Sequence, residues 1–136
     1  MYLGISKIWV LLFALLSLDK TKEQTTPLKV SMDRGAIVYE EFCMQCHLGD
    51  GKGTKGVVPP LAKSDWLFNK RKESIHAIKF GQSGKIVVNG IKYDSQMPNM
   101  NLTDQEVADV MNYILNSWGN QSKKIVTEQE VKAVLK

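Results

Sequence analysis

The chain has 136 residues, 43% of them apolar and 24% charged, with 18 basic against 14 acidic side chains and a net charge of +4. That length suits one domain, and the ordinary apolar share argues against a disordered chain. Without a dense basic run or a recognition motif, so modest a charge excludes nucleic acid as a partner.

At the N-terminus Lys7 precedes an apolar run, Ile8 to Leu18, and a polar stretch follows from Asp19 to Thr26. Eleven residues, ten of them apolar, fall short of the roughly twenty that cross a bilayer comfortably. Residues 1–18 therefore read as a signal peptide or, if uncleaved, an N-terminal membrane anchor. Ser17 is a small residue near the cleavage position, although no clean A-x-A site is present. Either reading exports the folded part to the periplasm or the outer face of the cytoplasmic membrane. Residues 19–30 read as a linker, 31–120 as the folded domain and 121–136 as a C-terminal tail with a short helix.

A helical pattern starts at Ser31, where Ser31 or Asp33 can cap it, and Ile37, Val38 and Phe42 give it an apolar face. Gly49 to Gly56 is a glycine- and lysine-rich loop, and Pro59-Pro60 extends the chain. Asn69 to Phe80 predicts a short helix closed by Gly81. In Lys85 to Tyr93, Asn89-Gly90 separates two short β-prone runs and predicts a hairpin. Thr103 and Glu106 then form a capping-box signature. Behind it Val107, Val110, Met111, Ile114, Leu115 and Trp118 recur at helical spacing until Gly119. A last short helix is expected from Thr127, with Glu130 completing a second capping box. The expected fold class is all-α, with four or five helices, one short β-hairpin, long loops and a modest core.

Both cysteines fall in Cys43-Met44-Gln45-Cys46-His47, a C-x-x-C-H sequence. A disulfide across two intervening residues would be strained and would staple almost nothing. A redox dithiol of the thioredoxin kind needs a βαβ context that is missing here. A zinc ion would lack a fourth ligand, since His76 is the only other strong candidate. The remaining reading is covalent attachment of haem c. Cysteines three apart at a helix end share a face, so both thiols can add to one edge of the macrocycle, and His47 falls beneath the iron.

A sixth iron ligand should come from YDSQMPNMNL, where Met97 is the first choice and Met100 the alternative. Pro98 stiffens the backbone that carries Met97. The carbonyl of Pro59 is expected to accept the second ring N–H of His47 and so fix its tautomer. Leu61 and Trp66 are expected to line the cleft, while His76 reads as a helix-surface residue or a neighbour of the propionates. A bound haem would also supply part of the core that so small a domain lacks.

These residues resemble the class I, single-haem cytochrome c family. The matching text runs from MDRGAIVYEEFCMQCH through VVPPLAKSDWL and VNGIKYDSQMP to LTDQEVADVMNYILNSWGN, Met32 to Asn120. The resemblance implies a cytochrome c fold around one haem, with His47 and Met97 as axial ligands and the hairpin preceding the methionine loop. It also implies a crossing of the first and last helices, with Gly35 and an aromatic (Tyr39 or Phe42) meeting Tyr113. The chain looks most like cytochrome domains attached to, or serving, periplasmic oxidoreductases such as quinoprotein dehydrogenases and copper nitrite reductases. The expected function is electron transfer between protein redox partners (a dehydrogenase, reductase or oxidase), with no catalytic residue. Two alternatives are an electron-transfer subunit of a larger complex and a haem enzyme or gas sensor with a labile sixth ligand. Nine basic residues between Lys52 and Lys92, against Asp65 and Glu73, are expected to steer an acidic partner to the exposed haem edge.

Overall fold

The computed structural model describes residues 26–136, so the expected signal or anchor at 1–18 and the linker up to residue 25 lie outside the described residues. The first described helix, α1, spans Pro27–Val38. It starts one turn earlier than Ser31, so neither Ser31 nor Asp33 is its cap and the linker's last residues are helical. The Thr26 hydroxyl accepts the Lys29 N–H at 3.2 Å, and Pro27 follows in the first turn, where its missing donor costs nothing. Ser31 is instead buried inside the helix.

Rather than ending, α1 passes through one π-helical turn, Tyr39–Cys43, into α2, Met44–His47. Next come α3, Asp65–Asn69, and α4, Arg71–Phe80. The helix expected over Asn69 to Phe80 is α4, which starts two residues later, after Lys70 (φ −123°, ψ 51°); α3 before it was not expected, and the Ser64 side chain caps α3 by accepting the Leu67 N–H. Gly81, at φ 87°, closes α4 as expected. Strands β1, Ile86–Val88, and β2, Ile91–Tyr93, pair antiparallel with Ile86 opposite Tyr93. Asn89 and Gly90 both take positive φ between them, the geometry of a tight hairpin turn.

Helix α5 spans Asp104–Ile114 behind the expected Thr103–Glu106 capping box. It stops before Trp118, which the helical spacing had placed on its stripe. The Asn116 and Ser117 side chains bond back to the carbonyls of Asn112 and Tyr113, and Trp118 itself takes φ 53°. Helix α6, Glu128–Lys132, is capped by Thr127, but Glu130 does not complete a capping box. Its carboxylate goes to Arg71 instead, at 2.6 and 2.8 Å. Among the described residues the fold is thus mostly helical with one small two-stranded antiparallel sheet.

The core lies where α1 crosses α5, with α4 and the tail closing it. Gly35 permits the close crossing: a Cβ there would be driven into the Asp109 carbonyl and would come within 2.9 Å of Tyr113 Cβ. A polar layer beside it is fully paired. Asp109 accepts from Ser31 Oγ at 2.6 Å and from Arg34 Nε and Nη2 at 2.7 and 2.8 Å. Asn112 donates to Ser31 Oγ and to the Val126 carbonyl, and accepts the Val126 N–H at 2.7 Å. That side chain roots the tail, whose Val126, Val131 and Val134 are buried in the core. Replacing Asn112 by alanine is expected to cost about 3 kcal/mol, because the Val126 N–H and C=O stay buried without partners. Denaturant titration measures this, and a loss under about 1 kcal/mol would show that another contact anchors the tail.

Candidate functional site

One cleft gathers the residues singled out by the sequence. Cys43, Cys46, His47, Pro59, Leu61, Trp66, Met97 and Met100 all line it, with Ile78, Val88, Tyr93, Val110 and Ile114 making the rest of the wall apolar. Its empty volume, counted out to the open mouth and including solvent space there, is ≈ 1170 Å³. His76 is not among the lining residues. It packs beside the Phe80 ring, with centroids 5.0 Å apart, and faces a surface depression shared with Trp66, Glu73 and Gln82.

The π turn carries one extra residue and ends on Cys43, while α2 carries Cys46 and His47. The two cysteines are not joined by a disulfide; Cys43 is half-buried and Cys46 exposed. Burial, followed by the neighbouring Cys46, pushes the Cys43 thiol up to about 11. His47 is buried, and its Nδ1 lies 3.0 Å from the Pro59 carbonyl. Burial lowers its pKa and the Pro59 bond opposes that shift, so the ring is neutral near pH 7 with its other nitrogen left for a ligand. The Pro59 carbonyl is positioned because the Leu61 and Ala62 N–H groups both donate to Gly51 O, at 2.7 and 2.9 Å.

After His47 the chain reverses at Leu48, a non-glycine residue at φ 65° and ψ 163°. The Tyr39 hydroxyl holds that strained peptide by donating to Leu48 O at 2.6 Å, and burial raises the Tyr39 pKa. Trp118 covers the same loop: its ring packs on Gly51 and its Nε1 donates to Gly49 O at 2.9 Å. Tyr39 lies between Tyr113 and Trp118, with centroids at 5.4 and 5.0 Å, so Tyr39 rather than Phe42 is the aromatic at the helix crossing.

Elsewhere on the same cleft, the backbone of Met97 is clamped. Gln82 N–H donates to Met97 O at 2.9 Å and Met97 N–H to Gln82 O at 2.8 Å. Gly81 permits this approach, since a Cβ there would sit 2.8 Å from Met97 O. Gln82 could not be read from residue type, because a backbone pairing between two loops leaves no residue signature. Tyr39 and Trp118 were legible as aromatics but not as holders of the loop after His47.

Two thiols, an imidazole and a thioether around an apolar cleft suit a haem. A zinc ion does not fit, since no cluster of three or more His, Cys, Asp or Glu converges among the described residues. Residues 32–118 match the Cytochrome c family. The chain is 36% identical over 107 residues to cytochrome c-552 of Thermus thermophilus, a match covering 72% of this chain and 81% of that protein. It is 33% identical over 101 residues to the cytochrome c subunit of the quinone alcohol dehydrogenase of Gluconobacter oxydans, covering 71% of this chain and 21% of that subunit. With the gluconate 2-dehydrogenase cytochrome c subunit of Pantoea cypripedii it shares 36% identity over 110 residues, covering 75% of this chain and 24% of the subunit. The chain thus spans under a quarter of either dehydrogenase subunit. It belongs to the cytochrome c family, as an electron-transfer protein with one covalently bound haem c.

Proposed function

We propose that Cys43 and Cys46 hold the haem through thioether bonds, that His47 and Met97 are its axial ligands, and that Pro59, Leu61 and Trp66 shape its pocket. The observation that carries this reading is the cleft itself, which brings a methionine fifty residues away in sequence onto the same cavity as His47. When bound, the haem supplies a one-electron change between ferric and ferrous iron. The chain's own part is to keep His47 neutral and oriented through Pro59, to hold Met97 through Gln82, and to exclude water with an apolar wall. With both axial positions taken, no residue acts on a substrate, and electrons pass at the cleft mouth to docked protein partners. Lys52, Lys55 and Lys63 belong to a basic set suited to steering acidic partner surfaces.

The apolar run at Ile8 to Leu18 supports an exported protein, working in the periplasm or at the outer face of the cytoplasmic membrane. Among the described residues no helix is long and apolar enough to cross a membrane. Similarity to dehydrogenase cytochrome subunits supports a second reading, in which the chain relays electrons for a dehydrogenase as a bound subunit. Optical spectra of the purified protein test the ligand set. A sharp low-spin reduced spectrum that carbon monoxide leaves unchanged is expected. A high-spin spectrum that carbon monoxide shifts readily would overturn it in favour of a sensor or enzyme.

A further inference from the structure

The C-terminal tail lies beyond the residues that match the family, yet it grips α4 near both ends. At the first residue of α4, Arg71 donates Nε to Glu130 Oε1 at 2.6 Å and Nη2 to Glu130 Oε2 at 2.8 Å. The same Nη2 reaches the Ile125 carbonyl at 3.1 Å. In the last turn, Lys79 Nζ donates to the Val131 carbonyl at 3.0 Å and pairs with Asp104 at 2.8 Å. These are not loose surface pairs. The side chains of Arg71 and Lys79 are only 20% and 17% exposed, and the bidentate fork adds geometric definition. The Arg71 guanidinium also holds the Glu130 carboxyl below the usual carboxylate range.

Helix α4 therefore lies between the tail on its outer side and the cleft on its inner side, which Ser74, Ala77 and Ile78 line. At ten residues it is too short to hold its own shape and takes its order from what it packs against. Its end leads through Gly81 directly into Gln82, whose N–H and C=O both pair with Met97. The tail in turn is rooted on α5 by Asn112 and by its buried valines.

We propose that this tail is a strap that keeps Met97 on the iron, acting through α4 and the Gln82–Met97 pair, with Arg71, Lys79 and Glu130 as its positioning residues. The inference rests on Met97 being the sixth ligand. Freeing Met97 requires the Gln82–Met97 pair to open, and the tail resists the movement of α4 that would open it. An added ligand binds only to the opened form, so its apparent affinity reports how often the strap lets go.

The experiment titrates imidazole into the ferric holoprotein, following loss of the weak far-red iron–methionine absorption, and measures hydrogen exchange at the Gln82 and Met97 amides. In Arg71→Gln and in Lys79→Met, imidazole is expected to bind about fivefold or more tighter, with faster exchange at both amides. Arg34→Gln loosens α1 from Asp109, away from α4, and serves as a control for general loss of stability. Unchanged affinity and exchange in both strap variants would overturn the proposal, and so would an equal shift in Arg34→Gln. A wild-type ferric protein without the far-red band would overturn the Met97 assignment itself, and with it the strap's role. That result is separable, because it is read before any variant is made.

Discussion

Gly35→Ala is expected to destabilise the holoprotein by at least about 3 kcal/mol, although alanine is the better helix former by about 1 kcal/mol. The two effects have opposite signs, and the crossing decides which wins. The added methyl group meets the Asp109 carbonyl and the Tyr113 Cβ, both on α5, so neither can give way without moving that helix. Separating α1 from α5 would also stretch the bonds from Ser31 and Arg34 to Asp109 and open the Tyr39–Tyr113 contact. Against a total stability of about 5–15 kcal/mol, that is a large loss. Guanidinium unfolding followed by ellipticity measures it. A variant as stable as the parent would show that the helices do not approach this closely.

Met97→Ala should abolish the far-red absorption of the ferric protein and lower the reduction potential by at least roughly 0.1 V, since a thioether ligand favours the ferrous state within the ~0.8 V range that axial ligands command. Met100→Ala should leave both properties nearly as they are. The two methionines share the cleft, but only Met97 has its backbone fixed by a two-way pairing with Gln82. Loss of the band in Met100→Ala, with retention in Met97→Ala, would reverse the assignment. Loss in neither would remove both from the iron. Spectroelectrochemical titration of the two variants beside the parent gives both readouts at once.

Signals that act within a few residues were legible in the sequence. The Thr103–Glu106 box, the Asn89-Gly90 turn and Gly81 as a stop each describe a local geometry, and each is found where it was read. Local reading failed where a distant partner competed for a side chain. Glu130 has the spacing of a capping box with Thr127, yet a guanidinium on α4 claims its carboxylate. Trp118 has helical spacing with Ile114, but side-chain bonds from Asn116 and Ser117 end the helix and free the ring to cover the loop after His47. The start of α1 was missed for a different reason: a polar stretch hid Thr26-Pro27, a cap followed by a first-turn proline. In the candidate site, side-chain chemistry could be read from residue type, whereas Gln82, which works only through its backbone, could not.

The π turn at Tyr39–Cys43 also limits what evolution can do with this chain. Each residue of an α-helix turns the chain by about 100°, so removing one from the turn would swing both thiols off the cleft while leaving every remaining side chain chemically intact. Substitutions in the turn alter contacts one at a time, but a gap of a single residue changes the direction of everything after it. Between Gly35 and His47 exposed positions such as Ile37, Glu40 and Glu41 can therefore change their side chains, whereas the number of residues cannot change.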